Sequence, residues 1–390
     1  MTLLVEKYGG TSVKDINRVM EVALEVKKRI DAGNEIVMVV SAPGGLTDEL
    51  IKKAKTINEK PQGRELDVLL STGEQVSIAL MAMALESLGV KAISYTAPQL
   101  GIKTTHSHNT AKIKGIDTKK IREKLDDGYV VIVAGFQGVT DSGCITTLGR
   151  GGSDTSAVAI GAALGVGKVD IYTDVDGIYS ADPRTVKNTI KHKKISFEEM
   201  IEMAGSGARV LHSRSVELAA KYGINIHLKS SFSWKEGTIV EEGKYMEQNV
   251  IRGIAAASSL AKISVEGKGI SLSEVIGSIS TSGANIDVIT HNSYRGKTEI
   301  SCIIKEEYLD MALSAIKVGN VSYKKDLSKV SVIGLGVKSR GTAASIFDIL
   351  AKENIEIEAV SCSEINISCI VPEKDIVKAQ AALHKELIEG

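Results

Sequence analysis

Two glycine-rich turns carry residue types suited to binding a small anion. The first, residues 7–12, reads Lys-Tyr-Gly-Gly-Thr-Ser and follows a short apolar run. Its glycines allow backbone N–H groups to approach an anion closely, and the N-terminus of a following helix adds positive potential. Lys7 stands at the end of the apolar run and can reach the same anion, although an ordinary solvated lysine is the simpler alternative.

The second turn, residues 148–156, combines three glycines with Arg150 and Asp154. An arginine can bind a carboxylate through two parallel hydrogen bonds, and an aspartate can pair with a cation. The turn therefore favours a ligand that carries both a carboxylate and an ammonium group. A plain glycine turn in which Asp154 caps a helix is the alternative.

Two further segments could complete such a site. Glu74 is predicted in the first turn of a helix over 75–88, where it could hold an ammonium or simply be favoured by the helix dipole. After a predicted strand over 168–173, Tyr179 could cover a purine ring and Arg184 could meet a phosphate, with a surface turn as the alternative. The carboxylates of this segment would also suit Mg²⁺, which prefers oxygen ligands; they are Asp174, Asp176 and Asp182.

The seven histidines form no catalytic or metal-binding pattern, and each is interpreted as a surface or packed imidazole. A side-chain carboxylate that accepts a phosphoryl group is already ionised at pH 7, so it needs no general base. Positioning and charge neutralisation would suffice for such a transfer.

The elements that must position these residues alternate between strand and helix. The sequence predicts a strand over 3–7 and, from Lys14, a helix with apolar residues at three- and four-residue spacing. A second strand follows over 35–40, and this order of strand, helix and strand is typical of a parallel sheet. The later runs over 129–134 and 168–173 lack polar alternation, as strands covered on both faces do. From about residue 260 the pattern changes to two βαββα units with a period of roughly 70 residues. Each lacks one strand of a ferredoxin-like unit; residues 320–323 could supply it to the first unit and residues 251–256 to the second.

Composition excludes several classes of protein. Lys and Arg number 48, as do Asp and Glu, so no global charge draws the chain to nucleic acid or to an anionic membrane. Aromatic residues make up 4%, too few to favour a base-stacking surface. The four cysteines lie far apart and are interpreted as reduced thiols. With neither a signal peptide nor an apolar run of about 18 residues, a cytoplasmic protein is expected.

The chain resembles the aspartokinases, of the amino-acid kinase fold family, over nearly its whole length. The resemblance is carried by residues 7–13, 40–42, 47–50, 71–74, 134–138, 147–154, 172–177 and 181–184. It implies an α/β fold: a three-layer αβα kinase domain with a mainly parallel sheet, followed by two ferredoxin-like (βαββαβ) ACT domains, predicted to be interleaved. The predicted domains are residues 1–240, a linker with the spare strand over 241–259, and repeats over 260–326 and 327–390.

The resemblance also implies roles for individual residues. Lys7 and Asp154 would be catalytic, with Lys7 stabilising charge on the transferring phosphoryl group. The residues implied to hold aspartate are Thr47, Glu74, Arg150, Gly151, Gly152, Ser153 and Asp154. Those implied to bind ATP are Lys7, Gly9, Gly10, Ser41, Thr173, Asp174, Tyr179, Asp182, Arg184 and Arg209. An amino-acid effector, lysine or threonine, would bind near Ser271, Asn285, Ile286, Asp287 and Asn292.

The expected activity is ATP- and Mg²⁺-dependent phosphorylation of L-aspartate to 4-phospho-L-aspartate, the entry to lysine, diaminopimelate, threonine and methionine synthesis. The expected assembly is a homo-oligomer through the ACT domains, without nucleic acid, membrane or resident metal. The chain departs from the family pattern at Arg209, where lysine is usual, at the Pro-Gly missing before each repeat's first helix, and at His291, where many threonine-binding members have Gln.

Three alternatives remain at this point. Another amino-acid kinase, such as glutamate 5-kinase or acetylglutamate kinase, would differ in its acceptor. A catalytically inactive amino-acid sensor would bind ligand without turnover, but the presence of Lys7, Glu74, Arg150 and Asp154 argues against it. A dinucleotide oxidoreductase is disfavoured because no Gly-x-Gly-x-x-Gly follows the first strand.

Overall fold

A mainly parallel sheet organises the first part of the chain. The computed structural model describes residues 2–208, 210–243, 250–294 and 296–389. The strands before residue 250 are β1 (Leu3–Tyr8), β2 (Glu35–Val40), β3 (Ala92–Tyr95), β4 (Lys103–Thr104), β5 (Ile113–Gly115), β6 (Val130–Ala134), β7 (Gln137–Val139), β8 (Ile145–Thr147), β9 (Lys168–Thr173), β10 (Lys194–Ser196), β11 (Asn225–Ser230) and β12 (Thr238–Glu241). Eight of them form one sheet in the order β10-β12-β11-β9-β1-β2-β6-β3, and β11–β12 is its antiparallel pair. The predicted mainly parallel sheet is confirmed.

Helices cover both faces of this sheet. They are α1 (Ile16–Asp31), α2 (Leu46–Ile57), α3 (Arg64–Ser87), α4 (Lys119–Asp126), α5 (Gly152–Leu164), α6 (Phe197–Gly205) and α7 (Ser213–Tyr222). Helices α1 and α3 pack on one face, in a core with Ile36, Met38 and Val40 of β2. Helix α5 packs against β1, β2 and β9, and α7 against α5. The predicted three-layer αβα arrangement is confirmed, and a small sheet in the order β5-β4-β7-β8 accompanies it.

Helix α3 begins eleven residues before the predicted start at residue 75, so Glu74 lies inside the helix and the first-turn interpretation of it is wrong. Gly63 precedes the first helical residue and has a φ of 77°, a conformation that glycine adopts readily and that turns the chain sharply into the helix. Gly73 looked like part of an opening turn, yet it occupies the helix interior. A Cβ there would lie 2.7 Å from Cβ of Ala42, so glycine is required for the close approach of the two segments.

Among the described residues, α3 is also long and apolar enough to cross a membrane by length and composition. Half of its most apolar window is buried within the fold, and core helices of globular proteins meet the same criterion.

The second part of the chain forms a six-stranded antiparallel sheet. Its strands are β13 (Gly253–Gly267), β14 (Ile286–Tyr294), β15 (Lys297–Lys305), β16 (Asn320–Ile333), β17 (Ala359–Cys362) and β18 (Asn366–Pro372), in the order β14-β15-β13-β16-β18-β17. Its helices are α8 (Leu272–Thr281), α9 (Leu309–Ala315), α10 (Thr342–Lys352) and α11 (Ile376–His384). Two separate apolar cores lie under α8–α9 and under α10–α11.

Strands β13 and β16 pair with each other along two separate stretches. Residues 253–257 of β13 pair with residues 329–333 of β16, and residues 262–266 pair with 320–324. Between these two ladders, Ser259 and Asp326 adopt φ angles of 62° and 55°, which turn both strands. The predicted spare strand thus pairs with the second repeat; this pairing is what an interleaved arrangement requires, and the interleaving stays a prediction.

The described residues divide into two compact units. The first takes in residues 2–178, 191–204 and 210–243, and the second takes in 179–190, 205–208, 250–294 and 296–389. Residues 179–190 therefore group with the second unit, where the Ser180 hydroxyl lies 2.8 Å from Nε2 of the buried His384. The predicted linker falls partly outside the described residues, and the predicted domain bounds stay predictions.

Candidate active site

A cavity of about 260 Å³ in the first unit brings together nine of the predicted site residues. These are Lys7, Ser41, Thr47, Glu74, Arg150, Gly151, Gly152, Ser153 and Asp154. Ala42, Phe136 and Gly149 complete its lining and were not predicted as site residues. Lys7 at the start of the first glycine-rich turn, the second glycine-rich turn and the middle of α3 therefore line one cavity.

Lys7 and Asp154 form an ion pair with 2.7 Å between Nζ and Oδ1. Alternation along β1 places Glu6 and Tyr8 on the side of α1 and leaves Lys7 on the side of α5. Asp154 lies in the first turn of α5, where the helix dipole stabilises its charge. Both side chains are about nine-tenths buried, so the ammonium is held in one place within the cavity.

Glu74 lines the cavity as a buried carboxylate, and one of its oxygens has no hydrogen-bond partner. Its Oε1 accepts a hydrogen bond of 3.1 Å from the backbone N–H of Ala42. Its Oε2 is buried and has no hydrogen-bond partner. Burial raises the pKa of Glu74 to about 8, because desolvation penalises the charged form. A ligand ammonium would supply the missing partner.

The turn after β1, which holds Gly9 and Gly10, packs against the turn after β2. Gly9 and Gly10, predicted to bind ATP, are not among the residues that line the cavity. The backbone N–H of Gly9 donates to Tyr172 O at 3.0 Å, and that of Gly44 donates to Gly10 O at 3.0 Å. A Cβ on Gly10 would lie 2.7 Å from the carbonyl oxygen of Ala42, so only glycine permits this approach. Ser41 follows β2 directly, beside the end of β1.

The turn that presents Arg150 is packed closely on several sides. A Cβ on Gly151 would lie 2.2 Å from Cβ of His212, and one on Gly152 would lie 2.8 Å from the ring of Phe136. Phe136 itself adopts a φ of 67°, a strained conformation for an aromatic residue. His212 is half-buried, and desolvation lowers the pKa of its imidazole. The sequence pointed to His212 only as a packed or surface residue.

The remaining predicted ATP residues are divided between the units. Thr173 ends β9 next to β1, and its hydroxyl donates to Asp174 at 3.0 Å. In the second unit, Arg184 binds the carboxylate of Asp182 through two hydrogen bonds, which lower the pKa of that carboxyl. Tyr179 belongs to the same segment. Arg209 lies outside the described residues.

Each carboxylate of the acidic segment has a partner within its own unit. Asp176 pairs with Lys191 at 3.3 Å, and Asp182 and Asp174 have the partners given above. Within the described ranges, no group of three or more His, Cys, Asp or Glu side chains is suited to hold a metal ion.

The predicted effector residues lie on two elements of the second unit. Ser271 caps α8, and its hydroxyl exchanges hydrogen bonds with Glu274. Asn285, Ile286, Asp287 and Asn292 lie on or next to β14, a strand at the edge of the sheet. The carboxylate of Asp287 is already paired with Lys329, at 2.7 Å. A second cavity, of about 340 Å³, adjoins α8 and is lined by residues 266–270, 318–320 and Glu274.

Comparisons with known proteins agree with this arrangement. The model of the amino acid kinase family matches residues 2–230, and a model of the ACT domain matches residues 330–387. The chain is 47% identical over 394 residues to the aspartokinase of Geobacillus stearothermophilus, covering 99% of this chain and 97% of that protein. It is 43% identical over 396 residues to aspartokinase 2 of Bacillus subtilis (strain 168), and this match covers 98% of this chain and 97% of that protein.

A solved structure of E. coli aspartokinase III in complex with aspartate and ADP superimposes with a TM-score of 0.82. The two sequences are 25% identical, and the superposition covers 99% of this chain and 100% of the E. coli chain. The kinase sheet, the cavity and these matches define a member of the amino-acid kinase family, and hence a kinase. Within it, the chain belongs to the aspartokinases, as the residues in the turns predicted.

Proposed function

We propose that the protein transfers the γ-phosphoryl group of ATP to the side-chain carboxylate of L-aspartate, giving 4-phospho-L-aspartate. The observation that carries the proposal is the convergence of Arg150, the unpartnered carboxylate oxygen of Glu74 and the Lys7–Asp154 pair on one cavity. Aspartate carries two carboxylates and one ammonium. The guanidinium of Arg150 and the ammonium of Lys7 are complementary to the carboxylates, and the carboxylate of Glu74 is complementary to the ammonium. E. coli aspartokinase III, which resembles the chain over its whole length, has been solved with aspartate and ADP.

The chain's residues act by positioning and by charge. Arg150 binds the α-carboxylate and Glu74 the ammonium, so that the side-chain carboxylate points toward the glycine turns. That carboxylate is ionised at neutral pH and attacks without a general base. Lys7, fixed by Asp154, neutralises charge on the transferring phosphoryl group, while the turn at Gly9 and Gly10 and the side chain of Ser41 hold the phosphates. Mg²⁺ would arrive bound to the nucleotide phosphates and offset their charge.

We propose further that an end-product amino acid inhibits the enzyme through the second unit. Support comes from the ACT match over 330–387 and from E. coli aspartokinase III, which has been solved with lysine and aspartate. The effector would be lysine or threonine, because the product leads to lysine, diaminopimelate, threonine and methionine. We expect a cytoplasmic homo-oligomer that associates through the ACT repeats; sedimentation velocity with and without lysine or threonine tests the assembly.

Trapping the acyl phosphate with hydroxylamine tests the activity. Purified protein is incubated with ATP and Mg²⁺ and with L-aspartate, L-glutamate or N-acetylglutamate as the acceptor. Product with aspartate alone is expected. Product with glutamate or acetylglutamate would assign the chain to another amino-acid kinase specificity. Binding of aspartate by a folded sample without product would instead support an amino-acid sensor.

A further inference from the structure

Asp67 is a fully buried carboxylate on α3 that does not line the cavity. Its Oδ1 accepts hydrogen bonds from the Thr147 hydroxyl at 2.5 Å, from the Asn109 side-chain amide at 2.6 Å and from the Asn109 backbone N–H at 3.0 Å. Its Oδ2 lies 2.6 Å from Nδ1 of His108. A single carboxylate thus joins α3, the end of β8 and the loop of residues 105–112.

This loop lies directly against the turn that presents Arg150. The backbone N–H of Ala111 donates to Thr147 O at 3.0 Å. Gly149 adopts a φ of 81°, and a Cβ on it would lie 3.0 Å from the carbonyl oxygen of Asn109. The turn therefore rests on the loop that Asp67 holds.

Arg214 of α7 fastens the same two segments from another helix. Its guanidinium donates to Leu148 O at 2.6 Å and to Ala111 O at 2.7 Å. Thr147 and Leu148 directly precede the turn at residues 149–152. The backbone of this turn is therefore held by Asp67 of α3 through Thr147 and by Arg214 of α7 through Leu148. Arg150 is itself exposed, so its guanidinium depends on the backbone of this turn for its position.

We propose that Asp67 is a positioning residue for the acceptor amino acid, with Arg214 as its counterpart on α7. Through Thr147 and the loop of residues 105–112, Asp67 fixes the turn from which Arg150 binds the α-carboxylate. This inference rests on the proposed function. Both carboxylate oxygens accept from donors, since the Asn109 backbone N–H also lies 3.2 Å from Oδ2. In Asp67→Asn the charge that strengthens these hydrogen bonds is lost, and the side-chain N–H₂ faces the Asn109 N–H and Nδ1 of His108.

The test compares Asp67→Asn and Thr147→Val with Thr147→Ser, which keeps the hydroxyl. The KM for each substrate is measured, together with the Kd for aspartate by calorimetry in the absence of nucleotide. Asp67→Asn and Thr147→Val are expected to raise the KM and Kd for aspartate about tenfold, which is less than the roughly 10²-fold loss that a misplacement of about 1 Å can cause. The KM for ATP should change less than twofold, and Thr147→Ser should behave as the wild type.

Asp170→Asn is the matched control for a purely structural role. Asp170 is also a buried carboxylate of the first unit, and it accepts from Lys229 at 2.9 Å outside the cavity. If Asp67→Asn and Thr147→Val melt as Asp170→Asn does and keep the wild-type KM for aspartate, the inference is wrong. Equal rises in KM for both substrates would also overturn it. If Asp67→Asn does not fold, the comparison of Thr147→Val with Thr147→Ser in the KM and Kd for aspartate tests the inference instead.

Arg150→Ala separates failure of this inference from failure of the proposed function. If Arg150→Ala leaves aspartate binding unchanged, the placement of aspartate is wrong, whatever Asp67 does. If Arg150→Ala weakens aspartate binding while Asp67→Asn and Thr147→Val do not, the placement stands and the positioning role of Asp67 is excluded.

Discussion

At the scale of single residues, the ion pair of Lys7 and Asp154 carries the clearest expectation for the chemistry. The ammonium is held at 2.7 Å from the carboxylate and is nearly buried, so its charge is poorly screened by solvent. We expect Lys7→Ala to lower kcat by about 10²–10³-fold, as loss of one preorganised charge-stabilising group does in other enzymes. Steady-state kinetics and thermal melting measure the effect on turnover and on folding.

The matched control for Lys7 is Lys229, whose ammonium lies 2.9 Å from the buried Asp170 in the same unit. Lys229→Ala removes a comparable ion pair outside the cavity and should leave kcat within about threefold of the wild type. A kcat for Lys7→Ala within tenfold of the wild type, from a folded sample, would remove Lys7 from the mechanism.

Glu74 leads to a prediction about protons. With a pKa of about 8 the side chain is mostly protonated at pH 7, and an aspartate ammonium favours its ionised form. Aspartate binding at pH 7 should therefore release roughly one proton. Calorimetry in buffers of different ionisation enthalpy measures this release, and Glu74→Gln should abolish it. Unchanged release in Glu74→Gln would assign the proton to another group.

The same raised pKa has a consequence for stability. A buried carboxyl whose folded pKa lies above its ordinary value of 4.5 favours folding below that value, and this contribution is lost as the pH rises through about 8. Glu74→Gln cannot ionise. The variant should therefore be more stable than the wild type in the absence of ligand above pH 8, and this gain should shrink toward pH 5.

At the scale of elements, Gly73 joins α3 to the turn after β2. Gly73→Ala would place a methyl group 2.7 Å from Cβ of Ala42 and push away the N–H that binds Glu74. We expect a loss of about 1–3 kcal/mol in the free energy of unfolding, as overpacking commonly causes, and a raised KM for aspartate. Urea denaturation and kinetics measure the two effects.

Gly277 is the matched control for Gly73, because it lies inside α8 and a Cβ there meets no atom within 4 Å. Gly277→Ala should increase stability by about 0.5–1 kcal/mol through helix propensity alone. Equal effects of the two substitutions would show that the contact of Gly73 with Ala42 is unimportant.

The contact between Asp287 of β14 and Lys329 of β16 is the second prediction for elements. Lys329 is nearly buried and would be left without its carboxylate partner in Asp287→Ala, which should cost about 1–3 kcal/mol of stability. Adding Lys329→Met should restore most of the loss. Chemical denaturation of the two variants measures this, and no recovery in the double variant would contradict the structural role.

The same pair of variants decides the role of Asp287 in regulation. If inhibition by lysine or threonine is lost in Asp287→Ala and returns in the double variant, Asp287 acts through the sheet. Loss in both variants would support a direct contact of Asp287 with the effector.

At the scale of the whole molecule, all predicted aspartate-binding residues belong to the first unit. Saturating aspartate, at about 100 times its Kd, should stabilise that unit by about 2.7 kcal/mol. Scanning calorimetry should then show one transition that moves upward by several degrees and a second that does not move. A single transition that shifts as a whole would show that the two units unfold together.

The sequence predicts much of this molecule because its strongest patterns are local. Continuous apolar runs identified β1, β2, β6 and β9, and residue order around the glycines identified the site residues. What it missed depends on contacts distant in sequence. The start of α3 was misplaced because Gly73 looks like a turn residue until Ala42 is seen against it. Asp67 gave no local signal, since its partners lie about 40 and 80 residues away.

The pairing of the start of β13 with the end of β16 has a consequence for synthesis of the chain. The strand partner of residues 253–257 in the described structure is residues 329–333, about 80 positions later, although Ile254 also donates to the earlier Ser180 O at 2.7 Å. At translation rates of roughly 5–20 residues per second, the start of β13 waits about 4–16 s for its neighbour. During that time it is an unpaired strand edge, the kind of segment that recruits other chains. We therefore expect that a shorter chain containing the second repeat must also include residues 253–257, so that residues 329–333 of β16 keep their strand partner.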